Sequence, residues 1–256
     1  MTIDTSKLKA LYINGKKVAS LSLNGKKLKL SGGSGGESGY LTVTALEAPC
    51  TVTILRTGSP TASIEYSTNG STWTAYEYNT SISLASVGSS VMFRASSLNS
   101  TFSVDDSNYY RFNVSAKYRL SGDFMSLLDQ SMQTSSVPQY CFKNLFNNST
   151  TLSSIDGLKI GASTIESEAF RYTFNNCNSL VDASGFDISG IQNISGAGMW
   201  GFFEGCTSLT ASPLLPNPQG TKWDARTYFF RDCRSLAVIS TLQTTWGDDY
   251  GGAYWC

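Results

Sequence analysis

The chain has 256 residues, of which 41% are hydrophobic and 12% aromatic, enough to bury a core across two modest domains and too apolar for a disordered protein. Charged residues make up only 15%, the formal net charge is zero, and histidine is absent. Without histidine the usual general base near neutral pH and the commonest metal ligand are missing, so catalysis would need paired carboxylates, and no cofactor or metal is expected.

Residues 1–30 contain a tandem unit, Leu11-Tyr-Ile-Asn-Gly-Lys-Lys-Val18 and Leu21-Ser-Leu-Asn-Gly-Lys-Lys-Leu28. Asn-Gly tolerates the positive φ of a type I′ turn, so each copy predicts a small β-hairpin. Seven lysines against Asp4 give this segment a charge of +6, and the other residues carry −6. The lysines either guard exposed strand edges or dock the segment on an acidic protein surface. Nucleic acid is not expected as a partner, because arginine is missing here and Tyr12 is the sole aromatic.

Residues 31–39, Ser-Gly-Gly-Ser-Gly-Gly-Glu-Ser-Gly, form a linker too glycine-rich to hold an element. From 40 to 120 apolar residues alternate in short runs: Leu41 and Val43, Val52 and Ile54, Ile64 and Tyr66, Val91 with Phe93 and Ala95, Phe112 and Val114. About seven strands at that spacing predict an antiparallel sandwich of immunoglobulin-like type. A hairpin with Asn69-Gly70 at its tip should pair Tyr66 and Trp73 across strands in the core. A helical segment is expected at 122–130, capped by Ser121 or Asp123.

Four segments then share Phe-x-x-Cys-x-Ser-Leu or a close variant, with phenylalanines at 146, 174, 203 and 230, spaced by 28, 29 and 27. That period lies within the leucine-rich-repeat range of about 20–29 residues. Phe146, Phe174, Cys177, Leu180, Phe203, Cys206, Leu209, Phe230, Cys233 and Leu236 should line one side of a short helical turn facing a core. The first copy has Ser149 where the others carry cysteine. The six cysteines lack any CxxC pair and are expected as buried thiols. Asp105 with Asp106 and Asp248 with Asp249 are the available carboxylate pairs, and adjacent acids in loops usually cap turns or face solvent. No secretory signal or run of about 20 apolar residues occurs, so synthesis in a cytoplasm without membrane insertion is expected.

The Phe-x-x-Cys-x-Ser-Leu ladder resembles BspA-like leucine-rich-repeat proteins of gut bacteria and of the tailed phages that infect them. Tyr66-Ser-Thr-Asn-Gly-Ser-Thr-Trp73, Phe112-Asn-Val114 and Gly122-Asp-Phe-Met-Ser-Leu-Leu128 are similar to the β-domain that precedes such repeats in phage proteins. The Asn-Gly-Lys-Lys module is similar to N-termini that attach appendages to a virion. The resemblance implies a mainly β protein with short helices: a β-hairpin anchor at 1–30, the linker at 31–39, an immunoglobulin-like sandwich at 40–120 and a leucine-rich-repeat solenoid at 121–256. It implies binding rather than chemistry, as a head fibre, tail fibre or decoration protein on a virion. Its partners would be other virion structural proteins and a host-surface glycan or protein, and such fibres are commonly homo-oligomers. The alternative is a bacterial cell-surface adhesin with the same repeats.

On this reading Tyr12, Lys16, Lys17, Lys26 and Lys27 are the docking residues. Receptor contact is expected from aromatics that the ladder does not need. Trp223, Trp246 and Tyr250 lie in the irregular inter-repeat segments and are the candidates, while Trp200 and Tyr228 sit just before the Phe turns and are readable as core.

Overall fold

A computed structural model describes residues 39–213 and 227–236, together with the backbone of 12–13, 16–17, 21–23 and 26–28. The chain divides into two compact units, Met1–Glu37 and Ser38–Cys256. The described architecture is mainly β, in several open sheets with almost no helix.

In the first unit, β1 (Tyr12–Ile13) pairs antiparallel with β2 (Lys16–Lys17), and β3 (Leu21–Leu23) with β4 (Lys26–Leu28). These are the two strand pairs that the Asn-Gly dipeptides predict. Tyr12 lies opposite Lys17, and Leu23 opposite Lys26.

The second unit begins with β5 (Leu41–Ala45), β6 (Cys50–Thr57), β7 (Ile64–Ser67), β8 (Thr74–Ala75), β9 (Ser81–Leu84), β10 (Ser90–Ala95), β11 (Tyr109–Val114) and β12 (Tyr118–Asp123). One sheet runs in the order β12-β5-β10-β7-β8, the other β11-β6-β9, all antiparallel. Strict alternation sets the inner faces: Leu41, Val43 and Ala45 of β5 and Val91, Phe93 and Ala95 of β10 are buried, with the residues between them less so. Phe93 meets Phe112 of the other sheet edge to face, ring centroids 5.3 Å apart.

The 68–73 loop departs from the expected pairing. Asn69 Oδ1 accepts the Ser71 and Thr72 N–H groups, and only Gly70 is left-handed, at φ 74°, so the connection is wider than a two-residue turn. Tyr66 therefore packs on Tyr76, and Trp73 packs on Tyr40 and under the Arg94 guanidinium instead of on Tyr66.

The predicted helix shrinks to a single 3₁₀ turn, Phe124–Leu127, because 118–123 extends as β12. Asp123 caps that turn by accepting the Met125 N–H. β12 also carries the chain past the sheets. Its other edge takes β14 (Leu152–Ser154) and β15 (Leu158–Lys159) in parallel pairing. β13 (Ser136–Val137), β16 (Thr164–Ile165) and β17 (Asn193–Ile194) make a second parallel stack between successive repeats.

The Phe-x-x-Cys segments are not helical. Within the first repeat Lys143, Leu145, Asn147 and Ser149 donate their N–H groups three residues back, each closing a turn. The residues between them, Phe142, Asn144, Phe146 and Asn148, donate across to Ala169, Arg171, Thr173 and Asn175 of the next repeat. Every fourth residue is left-handed: Tyr140, Asn144 and Asn148, then Glu168, Tyr172 and Asn176, then Ala197, Gly201 and Gly205. An α- or 3₁₀-helix has no place for that conformation, which is why Phe, Cys and Leu at helical spacing produced a ribbon of β-turns instead.

The ten repeat residues singled out from sequence are all buried. Phe146, Phe174, Phe203 and Phe230 stack nearly parallel, with centroids 5.5, 5.6 and 5.7 Å apart. The stack does not start at the first repeat. Phe112 of β11 lies on Phe146 at 4.8 Å, and the Phe112 N–H donates to the Leu145 carbonyl, so β11 acts as the layer beneath repeat one.

The thiols have a shared partner as well. Cys177, Cys206 and Cys233 direct Sγ at the carbonyls of Phe146, Phe174 and Phe203, at 3.3, 3.1 and 3.1 Å. Ser149 faces β12 rather than a preceding repeat, and its hydroxyl meets the Tyr118 hydroxyl at 2.7 Å. A hydroxyl fits a polar partner there better than a thiol does, which accounts for the departure in the first copy.

Candidate functional site

Side chains of the turn ribbon divide by position. Those at the levels of Phe146, Ser149 and Leu152 point inward, and those at the levels of Lys143, Asn144 and Asn147 line up on the opposite side of the ribbon. Through successive repeats these outer columns read Lys143, Arg171, Trp200; then Asn144, Tyr172, Gly201, Tyr228; then Asn147, Asn175, Glu204, Arg231. The stacking brings together residues about 28 apart in sequence.

Charged and aromatic groups interleave along this face. Lys143 is 3% exposed and pairs with Glu168 at 2.8 Å and with Asp106 from the turn before β11. Its ammonium lies 5.0 Å from the Tyr140 ring centroid. Arg171 bonds the same Glu168 at 2.8 Å, and its guanidinium lies 5.0 Å from the Tyr172 ring and 5.7 Å from that of Trp200. Trp200 meets Tyr228 edge to face at 5.1 Å, and Arg231 lies 4.7 Å from the Tyr228 ring. Arg231 also approaches Glu204, at 3.5 Å. The quadrupole of each ring attracts the cation above it.

The two glutamates differ in environment. Burial works against the charge of Glu168, but hydrogen bonds from Lys143 and Arg171 outweigh it and hold its carboxyl below the ordinary range. Burial raises Glu204, with Arg231 pulling down and Asp232 pushing up. Gly201 sits at φ 58°, where a Cβ would fall 2.5 Å from the Tyr172 ring and 2.8 Å from Glu204 Oε2, so glycine lets that ring lie flat on the backbone. A cleft of about 240 Å³ opens at the lower end of the face, lined by Arg111, Asn113, Asn147, Asn148, Thr150 and Thr151 among others.

Asp105 and Asp106 are both engaged within the fold. Asp105 Oδ1 accepts the Ser107 and Asn108 N–H groups, and those bonds hold its pKa below the ordinary value, while Asp106 is held by Lys143. Among the described residues no cluster of three or more His, Cys, Asp or Glu side chains suits a metal ion, and no helix is long and apolar enough to cross a membrane.

Trp223, Trp246 and Tyr250, and the Asp248–Asp249 pair, lie outside the described residues. Tyr12, Lys16, Lys17, Lys26 and Lys27 lie on β1, β2 and β4 of the first unit. Trp200 and Tyr228, readable as core, are only half-buried and belong to the outer columns. Sequence reasoning passed over Lys143, Arg171, Tyr172 and Glu204. The signal that would have found them is the same period that located the phenylalanines, applied to the positions just before and after them.

No protein-family model, curated protein or solved structure matches the chain.

Proposed function

We propose that this chain is a non-enzymatic appendage of a phage particle, a head fibre, tail fibre or decoration protein, docked through residues 1–30 and presenting its repeats to a host-surface glycan or protein. In fold terms, the two sheets of 40–120 read as an immunoglobulin-like sandwich and the stacked repeats as a BspA-type leucine-rich-repeat solenoid. The observation that carries the reading is the continuity of the second unit: one line of rings from Phe112 through Phe146, Phe174 and Phe203 to Phe230 joins sheet and repeats. Such a continuous body suits an element that presents a binding face. The separately compact Met1–Glu37, with its lysine-bearing strands and glycine-rich connection, supplies a distinct attachment module. On a virion its partners are other structural proteins of the particle and further copies of itself.

The test is incorporation. Deleting Met1–Leu30 should leave residues 38–256 folded, with an unchanged unfolding midpoint, and should remove the protein from purified particles. Particles that still carry the truncated chain would overturn the docking assignment. Replacing Lys16, Lys17, Lys26 and Lys27 together by Gln should weaken incorporation and flatten its salt dependence if docking is electrostatic.

A further inference from the structure

Five buried side-chain polar atoms among the described residues lack a hydrogen-bond partner: Arg119 Nε, Asn147 Oδ1, Arg171 Nε, Trp200 Nε1 and Glu204 Oε2. Four of the five fall on two adjacent columns of the turn face, Lys143-Arg171-Trp200 and Asn147-Asn175-Glu204. A core ladder does not need this. Buried polar groups are ordinarily satisfied, and each one left unpaired within the fold calls for a partner from outside it, such as water, an ion or a ligand.

We propose that this face is a carbohydrate-binding surface, with a polysaccharide chain lying along the stack and its hydroxyls meeting Asn147, Arg171, Trp200 and Glu204. The inference rests on the appendage reading above and specifies its ligand and its site.

Three observations favour a sugar over a protein. First, the unpaired atoms are an amide and a carboxylate oxygen, a guanidinium N–H and an indole N–H, the donor and acceptor mix that vicinal hydroxyls satisfy in pairs. Second, the rings of Tyr172, Trp200 and Tyr228 are half-exposed beside these groups, and aromatic faces pack against the C–H face of a pyranose. Third, among the described residues the exposed large aliphatic side chains are Leu46, Val87, Leu98, Val104 and Val181, and none belongs to these columns. The face thus offers rings and polar groups without an aliphatic patch, the combination that the C–H face and hydroxyls of a pyranose meet.

The geometry also repeats. Positions in each column recur with the layer spacing of the phenylalanine stack, 5.5 to 5.7 Å, while their side chains change from layer to layer, so an extended chain meets a succession of different polar and aromatic contacts. Arg171 is 30% and Arg231 43% exposed, the first beside the Trp200 ring and the second on Glu204, so rotation of either side chain would open that neighbour to a ligand. The cleft at Asn147 and Asn148 gives the chain a recessed starting subsite.

The experiment is an array of purified neutral and uronic-acid polysaccharides probed with the full-length chain, followed by calorimetry on whichever is retained. The wild type should retain at least one polysaccharide. Arg171→Gln, Trp200→Phe and Glu204→Gln should each weaken that binding about tenfold, the scale of one lost hydrogen bond to a charged or desolvated partner, with unfolding midpoints close to wild type. Trp200→Phe keeps a smaller aromatic face and removes the N–H, and an unchanged unfolding midpoint separates its loss of affinity from a loss of packing within the fold. Retention of no polysaccharide, retention indifferent to all three variants, or loss only on alanine substitution of Trp223, Trp246 and Tyr250 would each overturn the proposal. Binding to host cells that is abolished by protease treatment of the cells and untouched by removal of their glycans would identify a protein receptor instead. That result defeats the carbohydrate surface while leaving incorporation into particles, and with it the appendage reading, intact.

Discussion

The sheets of residues 40–123 and the repeats after them both alternate every two residues, but the alternation does different work. In β5 and β10 it belongs to the side chains: Leu41, Val43, Val91 and Phe93 face inward, their sequence neighbours face outward, and every ladder bond runs to an adjacent strand. In the repeats it belongs to the backbone. Alternate N–H groups close turns within a repeat, and the others reach the next one. These central strands thus saturate their ladder bonds within one layer, whereas each repeat needs its neighbour before half of its turn-face donors are satisfied. A single repeat is therefore not a stable object, and the stack must start on something preformed, which is β11.

The sharpest way to break this comparison is to cut the ring stack. Phe174 touches Phe146 on one side and Phe203 on the other, with Phe124, Phe186 and Phe202 around it. Phe174→Ala should cost about 3–5 kcal/mol, as should Phe93→Ala between the sheets. If the sheets template the repeats, both variants keep one unfolding transition in urea, coincident by fluorescence and circular dichroism. Two separated transitions for Phe93→Ala, with the repeats outlasting the sheets, would mean that the repeats fold without help from β11.

A smaller effect distinguishes the two backbones by the sign of one substitution. Asn176 holds φ 58° and donates Nδ2 to Asn148 Oδ1 at 3.1 Å. Asn176→Val should cost about 1–2 kcal/mol, because a β-branched residue resists the left-handed region. Asn176→Gly, the residue found at the equivalent position 205, should cost only a few tenths. Thr44→Val, on the half-exposed face of β5, should lie within about 0.5 kcal/mol of wild type, since that backbone suits valine. Equal losses at the two valine sites would remove the conformational argument for the repeats.

The same contrast explains what was legible in the sequence. Leu41, Val43, Val91 and Phe93 advertise their strands because side-chain period and backbone period coincide there. The phenylalanines advertise the repeat because self-similarity at 28 residues needs no knowledge of local conformation. The local conformation itself was misread: spacings of three and three are common to a helix and to overlapping β-turns, and only the recurring Asn144, Asn148, Asn176, Gly201 and Gly205 betray the left-handed positions. The continuation of β12 into the stack was hidden because Gly122, at φ 87°, reads as a breaker while its amide bonds the Gly157 carbonyl. The outer face was missed for a different reason. Lys143, Arg171 and Trp200 share a column but not a chemistry, so no motif search would group them.

The smallest effect tests whether ion pairs on the turn face hold layers together. In the sheets Glu65 meets Arg94 across neighbouring strands, at 2.9 Å. In the repeats Glu168 receives Lys143 from the preceding layer and Arg171 from its own. Its lowered pKa means that the charge stabilises the fold above the unfolded value of about 4.3, and that the contribution is lost as pH falls through the folded value. Glu168→Gln should therefore destabilise by about 1 kcal/mol at pH 7, a figure kept small for partial exposure, and the gap should close below about pH 4. Glu204 carries the opposite sign. Its raised value gives a contribution that is full below about 4.3 and declines as pH rises through the folded value, so the charged form is the disfavoured one at neutrality. Glu204→Gln should be neutral to stabilising at pH 7 and indistinguishable from wild type in acid. Midpoints of thermal unfolding for both variants between pH 3 and pH 8, on the scale of about one pH unit per step, separate the cases. If Glu204→Gln were to destabilise at neutral pH as Glu168→Gln does, Glu204 would be a strut between layers like its counterpart, and its unpaired oxygen would lose its claim to be kept for a ligand.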